Sequence, residues 1–213
     1  MSESDLSNSA SGRVYIIIRQ AILDRTYRPE DRLSRSALAK AYGTSQTPVR
    51  EALLRLEREG FVHVKPRSGT EVAPIDPVAV HGAHFLRRAL EVDVVGRLAK
   101  APDVRDLSGI ETALEANASQ ADTEQDLSFH RALFSALGME ALLDQLQPVL
   151  GPLHRCHALR QSHGVSVSEH RRIFDLIKAS DATGAVNAMA AHLVADIEDL
   201  ERLRRGFPDM FAE

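Results

Sequence analysis

The chain of 213 residues contains one cysteine, Cys156, which excludes an internal disulfide framework and fits a reducing compartment. No apolar run approaches the roughly 18 residues that a membrane-crossing helix needs. The opening residues, Met1 to Gly12, are Ser-rich and acidic rather than basic and apolar, so no secretion signal is read there. A soluble, cytoplasmic protein with no membrane partner is expected. A nucleophile elbow, a glycine-rich phosphate loop and an internal repeat are also missing. What remains is ordinary for a folded globular chain: 44% hydrophobic and 26% charged residues, a balance that argues against disorder.

The net charge of −4 conceals a division. Ser11 to Ile75 carries 12 lysines and arginines against 7 acidic residues, a net of +5, whereas Asp76 to the end carries a net of −7. Eight of the nine histidines follow residue 75. Asymmetry of this kind points to a nucleic-acid-binding segment beside a domain with another task.

Residues 1–11 are polar and read as a disordered tail. Helical periodicity begins near Arg13, with Val14, Ile17, Ile18 and Ile22 on one side. Pro29 sets a turn, a short helix is predicted over Ser36 to Tyr42, and Gly43 suits its C-terminus. A second helix is predicted from about Gln46 to Glu59. Ser45 or Thr47 is expected to cap it, Pro48 is tolerated in its first turn and Gly60 ends it. The period then changes to 2: Phe61–Val64 and Thr70–Ala73 read as short strands around Lys65-Pro66-Arg67-Ser68-Gly69, a two-stranded wing. Beyond Pro74 and Pro77 only helices are predicted, at about 77–100, 103–120, 122–137, 139–162, 166–180 and 182–205. The fold class is therefore mainly α. A winged helix-turn-helix spans 12–74, an antiparallel all-α bundle of about six helices spans 75–206, and 207–213 form a tail.

In a winged helix-turn-helix the start of the second helix reaches base edges in the major groove. Here that start is Ser45, Gln46, Thr47 and Arg50. Glutamine pairs bidentately with adenine, and threonine offers a hydroxyl and a methyl to phosphate or thymine. Arg67 and Gly69 at the wing tip fit a minor-groove or backbone contact. Arg50, Arg55 and Arg58 taken singly would read as a solvated helix face, and the turn, cap and wing around them favour DNA.

The run Pro29-x-x-Arg32-Leu33, Leu38-Ala39, Ser45-Gln46-Thr47-Pro48-Val49-Arg50-Glu51-Ala52-Leu53, Leu56-Glu57 and Glu59-Gly60 closely resembles the GntR family over residues 13–73. Arg35-Ser36 stands where that family usually has Glu-Arg, and Ser45-Gln46 where it has Ser-Arg. Both positions belong to the family's DNA-contact surface, so the resemblance implies contacts from Arg35 and Ser36 and an altered half-site. Pro29-Glu30 replaces a usual Pro-Gly and is expected to reshape the turn.

In the acidic half, Asp126 and His130 stand at i and i+4 on one helix face. His170 opens the fifth predicted bundle helix and His192 lies inside the sixth. Imidazole and carboxylate suit zinc, nickel and similar ions, and facing helices can build such a site in a bundle core. Asp and His at this spacing also occur on wet surfaces, but Leu127, Phe129, Leu133, Ile173, Ile177 and Leu193 nearby are apolar.

Residues 80–205 resemble the FadR-type C-terminal ligand-binding domain. The resemblance rests on Arg87-Arg88-Ala89-Leu90-Glu91 with Leu98-Ala99, on Asp126 to His130, and on Glu169-His170 followed by Ile173, Ile177, Asp181, Ala185, Met189 and His192. It implies one divalent metal per chain, zinc or nickel, held by Asp126, His130, His170 and His192. It also implies a small organic acid that completes the coordination, with Arg87 as its partner because an arginine fork matches a carboxylate. Arg88 would serve if the alignment slips by one. His154 and His157 are placed either toward the pocket or on the surface, and Cys156 in the core.

The expected protein is a homodimeric, ligand-responsive regulator bound to a palindromic double-stranded operator, a repressor that the acid releases. A metalloregulator, in which the metal itself is the signal, is the alternative. A metal-dependent enzyme is disfavoured because no general base stands beside the cluster.

Overall fold

The computed structural model describes residues 9–65, 69–101, 106–117, 123–160 and 164–212, without the side chains at 117, 123–125, 164–166 and 195–196. Compactness divides the chain into two units that do not follow a single cut at residue 75. The first comprises 1–80, 147–159 and 203–213, and the second comprises 81–146 and 160–202.

In the first unit, α1 (Ala10–Leu23) starts at Ser9, whose hydroxyl accepts from Gly12 N–H at 2.9 Å. It buries Val14, Tyr15, Ile18 and Ile22. A short strand β1 (Arg32–Leu33) leads into α2 (Arg35–Ala41), capped by Ser34. Gly43, at φ 61°, turns the chain into α3 (Gln46–Arg58), and Gly60, at φ 72°, ends it. Both glycines sit where a left-handed backbone is required. Strands β2 (Val62–Lys65) and β3 (Gly69–Val72) form the expected hairpin. β1 adds to it in the order β1-β3-β2, with Arg32 opposite Glu71 and Leu33 opposite Thr70. Leu38, Val49, Leu53, Leu56, Phe61 and Val72 close one core with α1.

Glu30 takes φ 72°, and its N–H donates to Val72 O at 2.9 Å. A left-handed conformation costs an L-residue about 1–2 kcal/mol. Glu30→Gly is therefore expected to stabilise the protein by about 1 kcal/mol, raising Tm by a few degrees in a melting experiment. A lowered Tm would mean that the glutamate side chain stabilises more than its backbone costs.

Residues 147–159 also belong to this unit. They are the second half of α7 (Glu140–Leu159), a helix that continues through Pro148 and Pro152. Gly151 meets the end of α3 almost backbone to backbone: a Cβ there would lie 1.9 Å from Glu59 O and 3.2 Å from Phe61 Cε2. Arg155 is 3% exposed, sits 5.9 Å over the Phe61 ring, and among the described residues has no hydrogen-bond partner for either terminal nitrogen. Burial holds its pKa down to about 10. Cys156 is in the core, as expected. His154 and His157 are not on the surface: both are buried, and His154 Nδ1 lies 3.4 Å from Arg19 Nη2.

The predicted last helix is two helices, α9 (Ala182–Glu198) and α10 (Leu200–Gly206), parted at Asp199. A 3₁₀ turn, Pro208–Met210, follows. The stretch read as a tail pairs with the linker: Ile75 N–H donates to Met210 O at 2.8 Å, and Ala212 N–H to Ile75 O at 2.9 Å.

The second unit holds most of α4 (Pro77–Lys100) and all of α5 (Ser108–Asn117), α6 (Thr123–Ser135), α8 (Gly164–Lys178) and α9. Val95, Leu98, Ile110, Phe129, Leu133, Phe134, Ile173, Phe174, Ile177, Met189 and Leu193 form its core. Gly184 has a local reason: Asp181 folds over it to accept its N–H at 2.8 Å, where a Cβ would collide with the carboxylate. Among the described residues no helix is long and apolar enough to cross a membrane.

Candidate nucleic-acid interface and metal centre

In the first unit a concave surface of about 590 Å³ is framed by the start of α3, the end of β1 and the hairpin. Arg35, Ser36, Gln46, Arg50 and Gly69, five of the residues expected to touch DNA, line it. Ser45 and Thr47 are exposed at the start of α3. Arg67 lies outside the described residues. Ser45 stands at the N-cap position of α3, as expected, but its side chain makes no capping hydrogen bond, so the hydroxyl is not spent there.

The three arginines of α3 differ in employment. Arg55 Nε donates to Glu59 at 2.9 Å, and its guanidinium lies 3.9 Å over the Tyr15 ring. Tyr15 donates to the other Glu59 oxygen at 2.7 Å, so Arg55 belongs to a partly buried structural network. Burial and the adjacent Glu59 charge push the Tyr15 hydroxyl pKa upward. Arg58 donates to Leu54 O at 3.4 Å. Arg50 is exposed and points into the concavity.

Sequence reading missed two cations of this surface, Arg32 and Lys65. The β-sheet register places Glu71 between them, with Lys65 Nζ at 2.5 Å and Arg32 Nε at 3.6 Å. The Lys65 hydrogen bond, aided by the charges of Lys65 and Arg32, holds the Glu71 carboxyl below its usual range.

In the second unit Asp126 and His130 on α6, His170 on α8 and His192 on α9 come together, with one donor atom from each within 4.8 Å of the others. His192 Nε2 lies 3.2 Å from His170 Nε2 and 3.3 Å from His130 Nε2. Asp126 Oδ1 lies 3.4 Å from His170 Nε2 and 3.9 Å from His130 Nε2. Metal bonds of ~2.1 Å place neighbouring donors ~3.0–3.4 Å apart; three of these separations fall in that range, and the Asp126–His130 edge at 3.9 Å is longer. The hydrophobic frame expected around the cluster is present. Phe129 stacks on His170 with ring centroids 4.0 Å apart, and Leu133, Ile173, Ile177 and Leu193 are buried.

The outer faces of two histidines meet carboxylates. Glu169 Oε2 lies 2.8 Å from His192 Nδ1, within a hydrogen bond. Glu91 Oε2 lies 2.6 Å from His130 Nδ1, close but off the line of a full hydrogen bond. A carboxylate at Nδ1 favours the proton on that nitrogen and leaves Nε2 as a lone pair. Two such lone pairs, on His130 and His192, then face each other at 3.3 Å, an arrangement that a cation between them relieves. The donor set therefore fits a divalent metal.

The charges agree. Burial, with the His130 and Arg87 charges added and Asp126 opposing, brings the His170 pKa down to about 2. Burial and then Arg87 lower that of His130 against the pull of Glu91. Neutral imidazole is the form that binds metal. Burial of Glu91 disfavours its charge, but Arg87 and His130 outweigh this and hold it at about 2. Arg87 is buried, donates to Glu91 at 2.8 Å and lies 3.9 Å from Asp126. Arg88, one residue on, is exposed. Sequence reading also missed the placement of Glu91 and Glu169 against the histidines, although both stand in the quoted motifs.

Two family models match the chain: "Bacterial regulatory proteins, gntR family" over residues 10–72, and "FCD domain" over residues 83–195. A transcriptional regulator of Streptomyces ambofaciens, from an unstable DNA locus, is 33% identical over 208 residues, covering 93% of this chain and 88% of the relative. The transcriptional repressor RspR of Escherichia coli (strain K12) is 24% identical, covering 94% and 93%. A crystal structure described as a GntR regulator from Rhodococcus sp. RHA1 superposes with a TM-score of 0.68 at 27% identity, covering 92% of this chain and 97% of that one. These relatives are regulators rather than enzymes. With a winged helix-turn-helix head and a helical domain of the matching kind, the chain belongs to the GntR family of DNA-binding transcriptional regulators and carries an FCD domain.

Proposed function

We propose that the protein is a homodimeric repressor that leaves a palindromic operator when a small organic acid binds its helical domain. The observation that carries the reading is the convergence of Asp126, His130, His170 and His192, with donors at ion-coordinating separations, beside a buried arginine. These four residues would hold one divalent ion, zinc or nickel, which when bound offers a Lewis-acidic position to a carboxylate oxygen.

Arg87 supplies the second half of acid recognition. Its guanidinium is fixed by Glu91 at 2.8 Å and faces Asp126 at 3.9 Å, so an incoming carboxylate meets a preorganised cation next to the coordination site. On the head, Arg35, Ser36, Ser45, Gln46, Thr47, Arg50, Arg67 and Gly69 make the DNA contacts, with Gln46 and Arg50 reading bases. Two copies present two recognition helices, and protein two-fold symmetry is matched by a palindromic site. On α4, Val78 is 77% and Phe85 75% exposed, one helical heptad apart, a face that a second copy would cover.

The test is metal content per chain in untagged, carefully purified protein, compared with His130→Ala. About one equivalent in the wild type, lost in the variant, is expected. No metal in either after addition of zinc or nickel would remove the metal from the account.

A further inference from the structure

Glu169 precedes His170 on α8, yet it does not act with its neighbour. Successive helical side chains point about 100° apart. His170 therefore faces the cluster while Glu169 reaches the outer edge of His192, a residue of α9, at 2.8 Å. We infer that Glu169 is a positioning residue: it holds the proton of His192 on Nδ1 and so presents the Nε2 lone pair to the metal position. This rests on the metal reading above and goes further, because it assigns a task to a residue outside the donor set.

Three observations converge on it. His192 is the hub of the cluster, with its Nε2 within 3.3 Å of both other imidazole Nε2 atoms. A ring turned over, or protonated on Nε2, would put a hydrogen where the ion must sit. The other carboxylate, Glu91, is shared between His130 and Arg87, so Glu169 is the described carboxylate placed at Nδ1 of His192. Finally, the Glu169 side chain is 41% exposed. Its removal leaves no buried charge behind, so its effect on metal can be separated from an effect on folding.

The experiment measures zinc affinity of the full-length protein by competition with a chromophoric chelator, in wild type, Glu169→Ala and Glu169→Gln. Nitrogen-detected NMR of the metal-free proteins gives the tautomer of His192. The inference predicts His192 protonated on Nδ1 in the wild type. In Glu169→Ala it predicts a shift toward the Nε2–H form together with zinc binding weakened about 10- to 100-fold. Glu169→Gln keeps an acceptor and is expected to recover part of both. Unchanged affinity and tautomer in Glu169→Ala, with one zinc still bound by the wild type, would overturn the inference and leave the metal reading standing. Weaker binding without the tautomer change would also overturn it, since that marks a distant charge effect. A wild type that binds no zinc would overturn the metal reading and this inference together.

Discussion

Arg50→Ala is expected to lower operator affinity by about 1–3 kcal/mol per recognition helix, roughly 5- to 150-fold, while the protein stays folded. Arg50 lies one turn into α3, exposed, on the concave surface it shares with Arg35, Gln46 and Gly69. Truncating it removes a cation from the interface without opening the core. Its neighbour in the same helix provides the contrast. Arg55 is bound to Glu59 and stacked on Tyr15, so Arg55→Ala leaves a buried carboxylate short of a partner and should reduce stability instead. Gln46→Ala should alter base preference with the salt dependence of binding unchanged, because glutamine neutralises no phosphate. Anisotropy titrations against an operator fragment selected from random DNA, at several salt concentrations, distinguish the three. Wild-type affinity in Arg50→Ala would show that α3 does not dock as assigned.

Gly151→Ala is expected to be strongly destabilising. Its new Cβ would stand 1.9 Å from the Glu59 carbonyl oxygen and 2.9 Å from the carbonyl carbon. Both are backbone atoms, so no side chain can swing aside. The same carbonyl belongs to the residue that organises Tyr15 and Arg55. Overpacking of a fixed contact costs about 1–3 kcal/mol, and here residues 147–159 must separate from the end of α3 to accept it. Gly82→Ala is the matched control. Gly82 lies inside α4 with nothing within 4 Å of its Cβ position, and alanine there should add roughly 0.5–1 kcal/mol of stability. Opposite shifts in Tm are expected. Equal and positive shifts would mean that the packing of α7 on the head is looser than the structure has it.

Much of the head was legible because its signals are local. Gly43 and Gly60 end the helices before them, as their sequence positions indicate; the caps at Ser9 and Ser34 were not read, and Ala10 and Ser11, assigned to a disordered tail, open α1 instead. Valine and threonine alternate along the hairpin. β1 was not legible, since two residues carry no period and Arg32–Leu33 are a strand only through their pairing with β3, almost forty positions away. The break at Asp199 escaped for the opposite reason: apolar spacing continues across it through Leu200 and Leu203. The place of residues 147–159 was hidden as well. Gly151 and Pro152 look like weak points of a bundle helix until Glu59 and Phe61 are seen against them.

In the helical domain, Asp126 and His130 announce themselves by their i, i+4 spacing, and His170 and His192 by motif. Their convergence depends on how α6, α8 and α9 pack, and the apolar neighbours of each hinted at it. The carboxylates behind them could not be assigned from sequence alone. Glu91 and Glu169 touch histidines 39 and 23 positions away, and nothing local separates an orienting glutamate from a solvated one. Arg87 and Arg88 show the same limit: adjacent arginines are equivalent as sequence, and only the fold buries the first and exposes the second.

Release of the operator by the proposed acid requires a link between the helical domain and the DNA-binding head, and a ligand shifts such an equilibrium only by binding one arrangement more tightly than the other. The most direct measurement is operator affinity of the metal-loaded protein titrated with a panel of small mono- and dicarboxylates, beside calorimetry of the same acids with DNA absent. At least one acid that binds should weaken operator binding, and should fail to do so in His130→Ala. Acids that bind the metal-loaded protein and leave operator affinity unchanged would contradict the account.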